Sequence, residues 1–250
     1  CFATSGPGAT NAITGTAAAF TDSVPMIFIS GQVSTSTSQN KLGFRQLGFQ
    51  EFNIIESIKS CTKYAKYISK KNDIKYELEK AIYLSKSGRP GPVWLDIPID
   101  IQASYINLKK IRSFSPKKEN LLNTNPAPTN EFINSIISKI NKSKRPLIIF
   151  GHGVFLANAK KDARTLVKKF MIPVQTTWNS IDLIPDNYPM YFGRANSYGP
   201  RYANFIIQNA DYVLSIGARL GIQHTGYNVK EFCRDAFLDM VDLDPIEAKK

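Results

Sequence analysis

The stretch Ala3-Thr4-Ser5-Gly6-Pro7-Gly8-Ala9-Thr10-Asn11 holds the residue types most suited to chemistry. Gly6 and Gly8 lack a Cβ and let the backbone approach a ligand, and a helix starting beyond them would turn unpaired N–H groups toward it. A cofactor cradle fits this spacing, as does a tight strand-to-helix connection that binds nothing. The other reactive side chains are scattered. His152 and His224, the only histidines, have no partner spacing for a metal or a triad, and His152 in Gly151-His152-Gly153 reads as structural or ligand-adjacent. Cys1, Cys61 and Cys233 are isolated and odd in number, so they read as reduced thiols.

The elements that would position the glycine turn alternate along the chain. An apolar start at residues 1–2 leads into the turn, and residues 11–20, rich in alanine, suit a helix packed closely on a sheet. Residues 24–30 form a nearly continuous apolar run ended by Gly31, the pattern of a parallel strand covered on both faces. After a polar segment over 34–40, helical spacing resumes at Ile54, Ile55 and Ile58, and again over 73–87. Gly88-Arg-Pro-Gly-Pro92 stops that helix and launches a buried strand over 93–97. Residues 1–104 therefore read as one domain, and 105–129, rich in Lys, Asn, Ser and Pro, as a linker.

A second domain over 130–250 repeats the alternation. It begins with an amphipathic helix over 131–140 and a strand over 145–150, turned by Gly151-His-Gly153 into a helix over 157–170. A short strand over 173–177, a helix over 202–209, a strand over 211–216 and a last strand over 239–243 follow. The fold class expected is α/β, with two doubly wound parallel-sheet domains, the second of them nucleotide-binding.

Composition narrows the partners. The net charge is +12, yet the lysines are spread over helical segments and no aromatic-and-basic signature accompanies them, so a solvated surface is expected and not nucleic acid binding. No run approaches the roughly 20 apolar residues of a membrane span, and no basic-then-apolar leader precedes Cys1, so the chain reads as cytoplasmic and not membrane-bound. Both ends read as cut from a longer protein.

In order, Ala3-Thr-Ser-Gly-Pro-Gly-Ala-Thr-Asn11, Asp22-Ser-Val-Pro25, Gly31-Gln-Val33, Phe49-Gln-Glu51, Gly88-Arg-Pro-Gly-Pro-Val93, Asp96-Ile-Pro98, Gly217-Ala-Arg219 and Val241-Asp-Leu-Asp-Pro245 make up a spaced set. The set resembles the thiamine-diphosphate-dependent enzymes of the acetolactate synthase type. The resemblance implies that the chain supplies most of the pyrimidine-binding domain and most of the central domain of three. Thr4, Pro7 and Asn11 match residues lining the thiamine pyrimidine pocket, and Gln50 matches a glutamine facing the reacting centre, although Gln50-Glu51 also fits a polar helix start. Arg89 matches an FAD-contacting arginine and Arg219 the arginine of Gly-Ala-Arg, while Asp242 or Asp244 stands where a strand-end carboxylate accepts from a ribose hydroxyl. A guanidinium suits flavin phosphate or ring oxygens, being always charged and forked. Arg89 also reads as a solvent-facing turn residue, and Asp244-Pro245 as the close of a strand.

The implied reaction removes carbon dioxide from a pyruvate-like 2-keto acid and hands the activated aldehyde to a second carbonyl. The family's cofactor-activating glutamate and its magnesium motif would lie outside these residues, so this piece alone is expected to be inactive. The resemblance also implies a homodimer or tetramer. Two departures fall beside the expected flavin. Gly193-Arg-Ala-Asn-Ser-Tyr-Gly199 stands where the family has a loop ending Gly-Met-His-Gly, and Gly221-Ile-Gln223 stands for Asp-Asp-Arg. They leave open whether FAD, another nucleotide or nothing occupies the central domain. They fit a divergent branch, acting on a sugar-nucleotide or another aldehyde acceptor. A non-flavin decarboxylase or carboligase and a catalytically silent paralogue are the alternatives.

Overall fold

A computed structural model describes residues 1–38, 43–122 and 127–249. The chain divides into two compact units, Cys1–Asn125 and Pro126–Lys250.

In the first unit β1 (Phe2–Ala3) runs into α1 (Pro7–Asn11) and α2 (Ile13–Thr21), followed by β2 (Ile27–Gln32) and α3 (Ile54–Ile58). Then come β3 (Tyr64–Tyr67), α4 (Ile74–Lys86), β4 (Val93–Pro98) and α5 (Ile99–Gln102). The helix expected over 11–20 is two helices, and the first starts earlier, at Pro7, because Gly6 completes the turn alone and proline suits the first helical position. The sheet order is β1-β2-β4-β3, every pair parallel. All six residues of β4 are buried, as a central strand between two helical layers requires. Phe28 stacks on Trp94 across the β2–β4 pair with centroids 4.9 Å apart.

β3 was not anticipated. It is a four-residue edge strand, and Tyr64-Ala-Lys-Tyr67 is too short for an apolar run to declare it. Residues 39–40 of the polar segment and 123–126 of the stretch read as linker lie outside the described residues. Earlier parts of that stretch lie on α4: Phe114 packs edge-on to Tyr76, Arg112 sits over the Tyr76 ring at 3.6 Å, and Glu119 pairs with Lys80 at 2.9 Å.

The second unit contains α6 (Asn130–Lys142), β5 (Pro146–Phe150), α7 (Gly153–Leu156), α8 (Lys160–Phe170) and β6 (Val174–Thr176). It continues through α9 (Arg201–Asn209), β7 (Tyr212–Ile216), α10 (Ile222–Thr225) and β8 (Phe237–Val241). The order is β6-β5-β7-β8, all parallel, so the winding reverses between β5 and β7. The helix expected over 157–170 starts at Lys160, after a left-handed Asn158 at φ 59°. The last strand was expected at 239–243 and runs instead from Phe237 to Val241. The Asp242 carboxylate ends it by accepting from the Asp244 backbone N–H at 2.9 Å, which turns the chain away from the ladder.

Thr129 caps α6 through its hydroxyl, which accepts from the Phe132 N–H at 3.2 Å. At the other end of α6, Lys139 reaches both oxygens of Asp239 on β8, at 3.1 and 2.9 Å. Thr129→Ala is expected to lower the stability of the second unit by about 1 kcal/mol, read as a small drop in thermal midpoint, because an orphan helix N–H loses its acceptor. An unchanged midpoint would show that water replaces the hydroxyl at no cost.

Candidate functional site

The carboxyl ends of the strands in the first unit gather one cluster. Gly6, at φ 56° and ψ −118°, lies against the chain at residue 50. A Cβ built on Gly6 would stand 2.1 Å from the Gln50 carbonyl oxygen, so only glycine lets the two segments touch. Gln50 is itself left-handed at φ 57°. Its turn is held from within by Glu51, a buried carboxylate accepting from the Leu47 and Gly48 N–H groups, each at 3.0 Å, and from the Ser38 hydroxyl at 2.9 Å. Beneath it, Gln32 at the end of β2 donates from Nε2 to the Phe52 carbonyl at 2.9 Å and to Asp96 Oδ2 at 3.0 Å.

Asp96 sits on central β4, paired in register with Ser30 on β2 and Tyr67 on β3. The Ser30 hydroxyl donates to its Oδ1 at 2.5 Å and accepts from Trp94 Nε1 at 2.8 Å. Burial pushes the Asp96 carboxyl up to about 6, with the Ser30 and Gln32 hydrogen bonds pulling the other way. Four residues on, Asp100 accepts from the Thr35 N–H at 3.0 Å and hydroxyl at 2.5 Å, fixing the loop that leaves β2.

Thr4, Pro7, Asn11 and Gln50 are all exposed at this end of the sheet. Thr4 follows β1, Pro7 and Asn11 bound α1, and Gln50 abuts Gly6. None of the four side chains is ionised, so the group presents neutral donors and acceptors beside one apolar ring. Arg89 is elsewhere. It precedes β4 at the amino ends of the strands, where its Nε donates to the Ser23 hydroxyl at 2.8 Å and ties the 88–92 turn to the turn before β2. Ser23 is left-handed at φ 58° and buried, so this bond fastens a strained corner.

In the second unit the reversal point between β5 and β7 is closed by backbone. A Cβ on Gly151 would meet the Gly217 oxygen at 2.1 Å, and that oxygen accepts from the Gly153 N–H at 2.9 Å. Gly151-His-Gly153 and Gly217-Ala-Arg219 therefore meet where a doubly wound sheet places a ligand. Arg219 is exposed beyond Gly217. His152 donates from Nδ1 to the Asn179 carbonyl, 2.9 Å away. Asp242 and Asp244 lie just past β8, and each spends one oxygen on its own turn, Asp244 accepting from the Ile246 N–H at 3.0 Å.

The two departing loops touch: the Ser197 N–H donates to the Gln223 carbonyl at 3.3 Å. Around them Arg194 lies over the Trp178 ring at 5.1 Å and Tyr198 meets Trp178 edge-on at 6.3 Å. His224 packs edge-on to Phe232 with its Nε2 enclosed and unpartnered, and burial pushes its pKa down to about 4. Sequence reading missed the Trp178–Arg194 contact and the Ser30–Asp96–Gln32 chain, since nothing in spacing alone joins residues distant in the chain.

Among the described residues no group of His, Cys, Asp and Glu could hold a metal, and no helix is long and apolar enough to cross a membrane. The cysteines are free thiols.

Two family models match the chain, one in each unit. Residues 1–57 match the family described as thiamine pyrophosphate enzyme, N-terminal TPP binding domain, and residues 133–250 match thiamine pyrophosphate enzyme, central domain. The chain is 34% identical over 252 residues to a probable acetolactate synthase large subunit of Methanococcus aeolicus, covering 100% of this chain and 41% of that protein. It is 33% identical over 250 residues to acetolactate synthase isozyme 1 large subunit of Escherichia coli, covering 100% and 42%. To the acetolactate synthase large subunit of Lactococcus lactis it is 32% identical over 247 residues, covering 99% and 41%. The chain thus spans about two-fifths of the length of the curated relatives it matches.

Proposed function

This chain belongs to the thiamine pyrophosphate enzymes, and from that membership we propose that the complete protein decarboxylates a pyruvate-like 2-keto acid and transfers the activated aldehyde to a second carbonyl, in the manner of acetolactate synthase. The observation carrying this reading is the contact of the Gln50 turn with Gly6, which brings the backbone and Cβ of residue 50 against the Thr4-to-Asn11 turn. An aminopyrimidine ring offers both donors and acceptors and carries no charge, and the hydroxyl of Thr4, the amides of Asn11 and Gln50 and the ring of Pro7 suit it. A diphosphate would need cations, and these four residues supply none.

Bound here, thiamine diphosphate would supply a carbon nucleophile. Thr4 and Asn11 would orient the pyrimidine, Pro7 would exclude water from one face, and the Gln50 amide would donate to oxygen that gains charge in the reaction. We assign Arg89, Arg219, Asp242 and Asp244 to FAD or another nucleotide, and the magnesium to residues outside this chain. A homodimer or tetramer completes the proposal. The second reading, a member without flavin, is favoured by the two loops that depart from the family's pattern, which are joined between Ser197 and Gln223.

The test is a visible spectrum of the purified complete protein, native and denatured, alongside carbon dioxide release from pyruvate with thiamine diphosphate and magnesium. Yellow flavin bands freed on unfolding, with turnover, are the expected result. A colourless protein that turns over removes FAD and selects the second reading, and a protein that releases no carbon dioxide from any 2-keto acid overturns both in favour of a silent paralogue.

A further inference from the structure

We propose that Gln32 and Asp96 are a positioning pair that fixes the turn presenting Gln50, neither of them touching substrate. The inference rests on the reading that Gln50 serves the reacting centre.

The amide of Gln32 is fully specified. Its Oε1 accepts from the Val33 N–H at 2.9 Å, while the two hydrogens of Nε2 go to Asp96 Oδ2 at 3.0 Å and to the Phe52 carbonyl at 2.9 Å. Flipping the amide would turn its oxygen toward a carboxylate and a carbonyl, three acceptors facing one another, and would set its NH2 against the Val33 N–H. Asp96 thereby decides which way Gln32 points. Gln32 in turn decides where Phe52 lies, two residues after Gln50.

A carboxylate is an expensive way to fill this space. Asp96 is 1% exposed, and burying an ionised group costs several kcal/mol unless donors satisfy it. An apolar pair across β2 and β4 would pack as well, as Phe28 and Trp94 do one pleat earlier. What the carboxylate adds is direction: Oδ1 is taken by Ser30, leaving Oδ2 as the acceptor for Gln32. Glu51 shapes the turn from inside and Gly6 lets it seat, but the bonds that Glu51 accepts from Leu47 and Gly48 move with the turn. The Gln32–Phe52 bond ties the turn to the sheet.

The experiment uses the complete protein and three variants, Gln32→Met, Ser30→Ala and Gln50→Ala, with peptide-level hydrogen exchange and steady-state turnover of pyruvate. Gln32→Met removes the amide at similar volume. It is expected to speed exchange over 47–53 by about tenfold and to lower kcat by about tenfold, with thiamine diphosphate affinity within twofold of wild type. Ser30→Ala frees Asp96 Oδ1 but leaves the Gln32–Phe52 bond in place, so exchange over 47–53 should rise by less than in Gln32→Met. If Gln32→Met does not fold, Gln32→Asn, one methylene too short to span Asp96 and Phe52, replaces it with the same expectation. Unchanged exchange over 47–53 in a folded Gln32 variant, or equal loosening by Ser30→Ala, overturns the positioning role. A Gln50→Ala protein with full turnover overturns instead the reading of Gln50, whatever the exchange shows.

Discussion

Gly6→Ala is expected to lower turnover of the complete protein by on the order of 100-fold and its stability by about 2–4 kcal/mol. Two effects act together. Gly6 holds φ 56° and ψ −118°, a region nearly closed to residues with a Cβ. The new Cβ would also lie 2.1 Å from the Gln50 oxygen, a backbone atom that cannot swing aside as a side-chain tip does. The Gln50 turn must then lift, against the bonds from Gln32 to Phe52 and from the Leu47 and Gly48 N–H groups to Glu51. Gln50→Ala should lose comparable turnover, since one lost donor to developing charge costs about 100-fold or more, but it should keep wild-type stability because Gln50 is exposed. Gly15→Ala is the internal control. Nothing lies within 4 Å of a Cβ there, and the residue is inside α2, so stability should rise by about 0.5–1 kcal/mol with turnover intact. Thermal unfolding and turnover of the three variants separate these outcomes, and a Gly6→Ala protein with normal turnover would show that the contact does not set the position of Gln50.

How far this site was legible in sequence follows from what each residue writes into its neighbourhood. The central strands declared themselves because parallel strands buried on both faces leave unbroken apolar runs between Gly and Pro: residues 24–30 and 93–97 anticipate Ile27–Gln32 and Val93–Pro98. The glycine turn was legible for the same local reason. Its meeting with Gln50 was not, because two backbones distant in sequence make that contact and no side-chain pattern records it. Asp96 was visible only as part of Asp96-Ile-Pro98, and its role appears once register sets it opposite Ser30. Arg89 shows the reverse case. Its type points to a ligand phosphate or ring oxygen, and beside that reading the structure gives its Nε a bond to Ser23, 66 residues away, that spacing does not record.

The stability of the two units should respond to acid in opposite directions. Asp96, ordinarily near 3.8, is raised by burial to about 6, so between those values the native carboxyl keeps a proton that the unfolded chain has released. That contribution is fully present below pH 3.8 and is lost as pH rises through 6, about 3 kcal/mol in all. His224 is lowered from 6.5 to about 4 by burial, so its contribution is present above 6.5 and is lost, by about 3 kcal/mol, as pH falls through 4. Unfolding of the complete protein, followed from pH 4 to pH 7 in Asp96→Asn and His224→Gln beside wild type, isolates each group as a difference. Asp96→Asn should gain stability relative to wild type as pH rises, and His224→Gln should gain as pH falls. Parallel curves for Asp96→Asn would mean that the carboxyl titrates as it does in water, and then no unfavourable burial would need explaining. If the curves diverge, the fold is holding an ionised Asp96 at neutral pH against its own stability, and the group its charge orients there is Gln32, which holds the chain at Phe52.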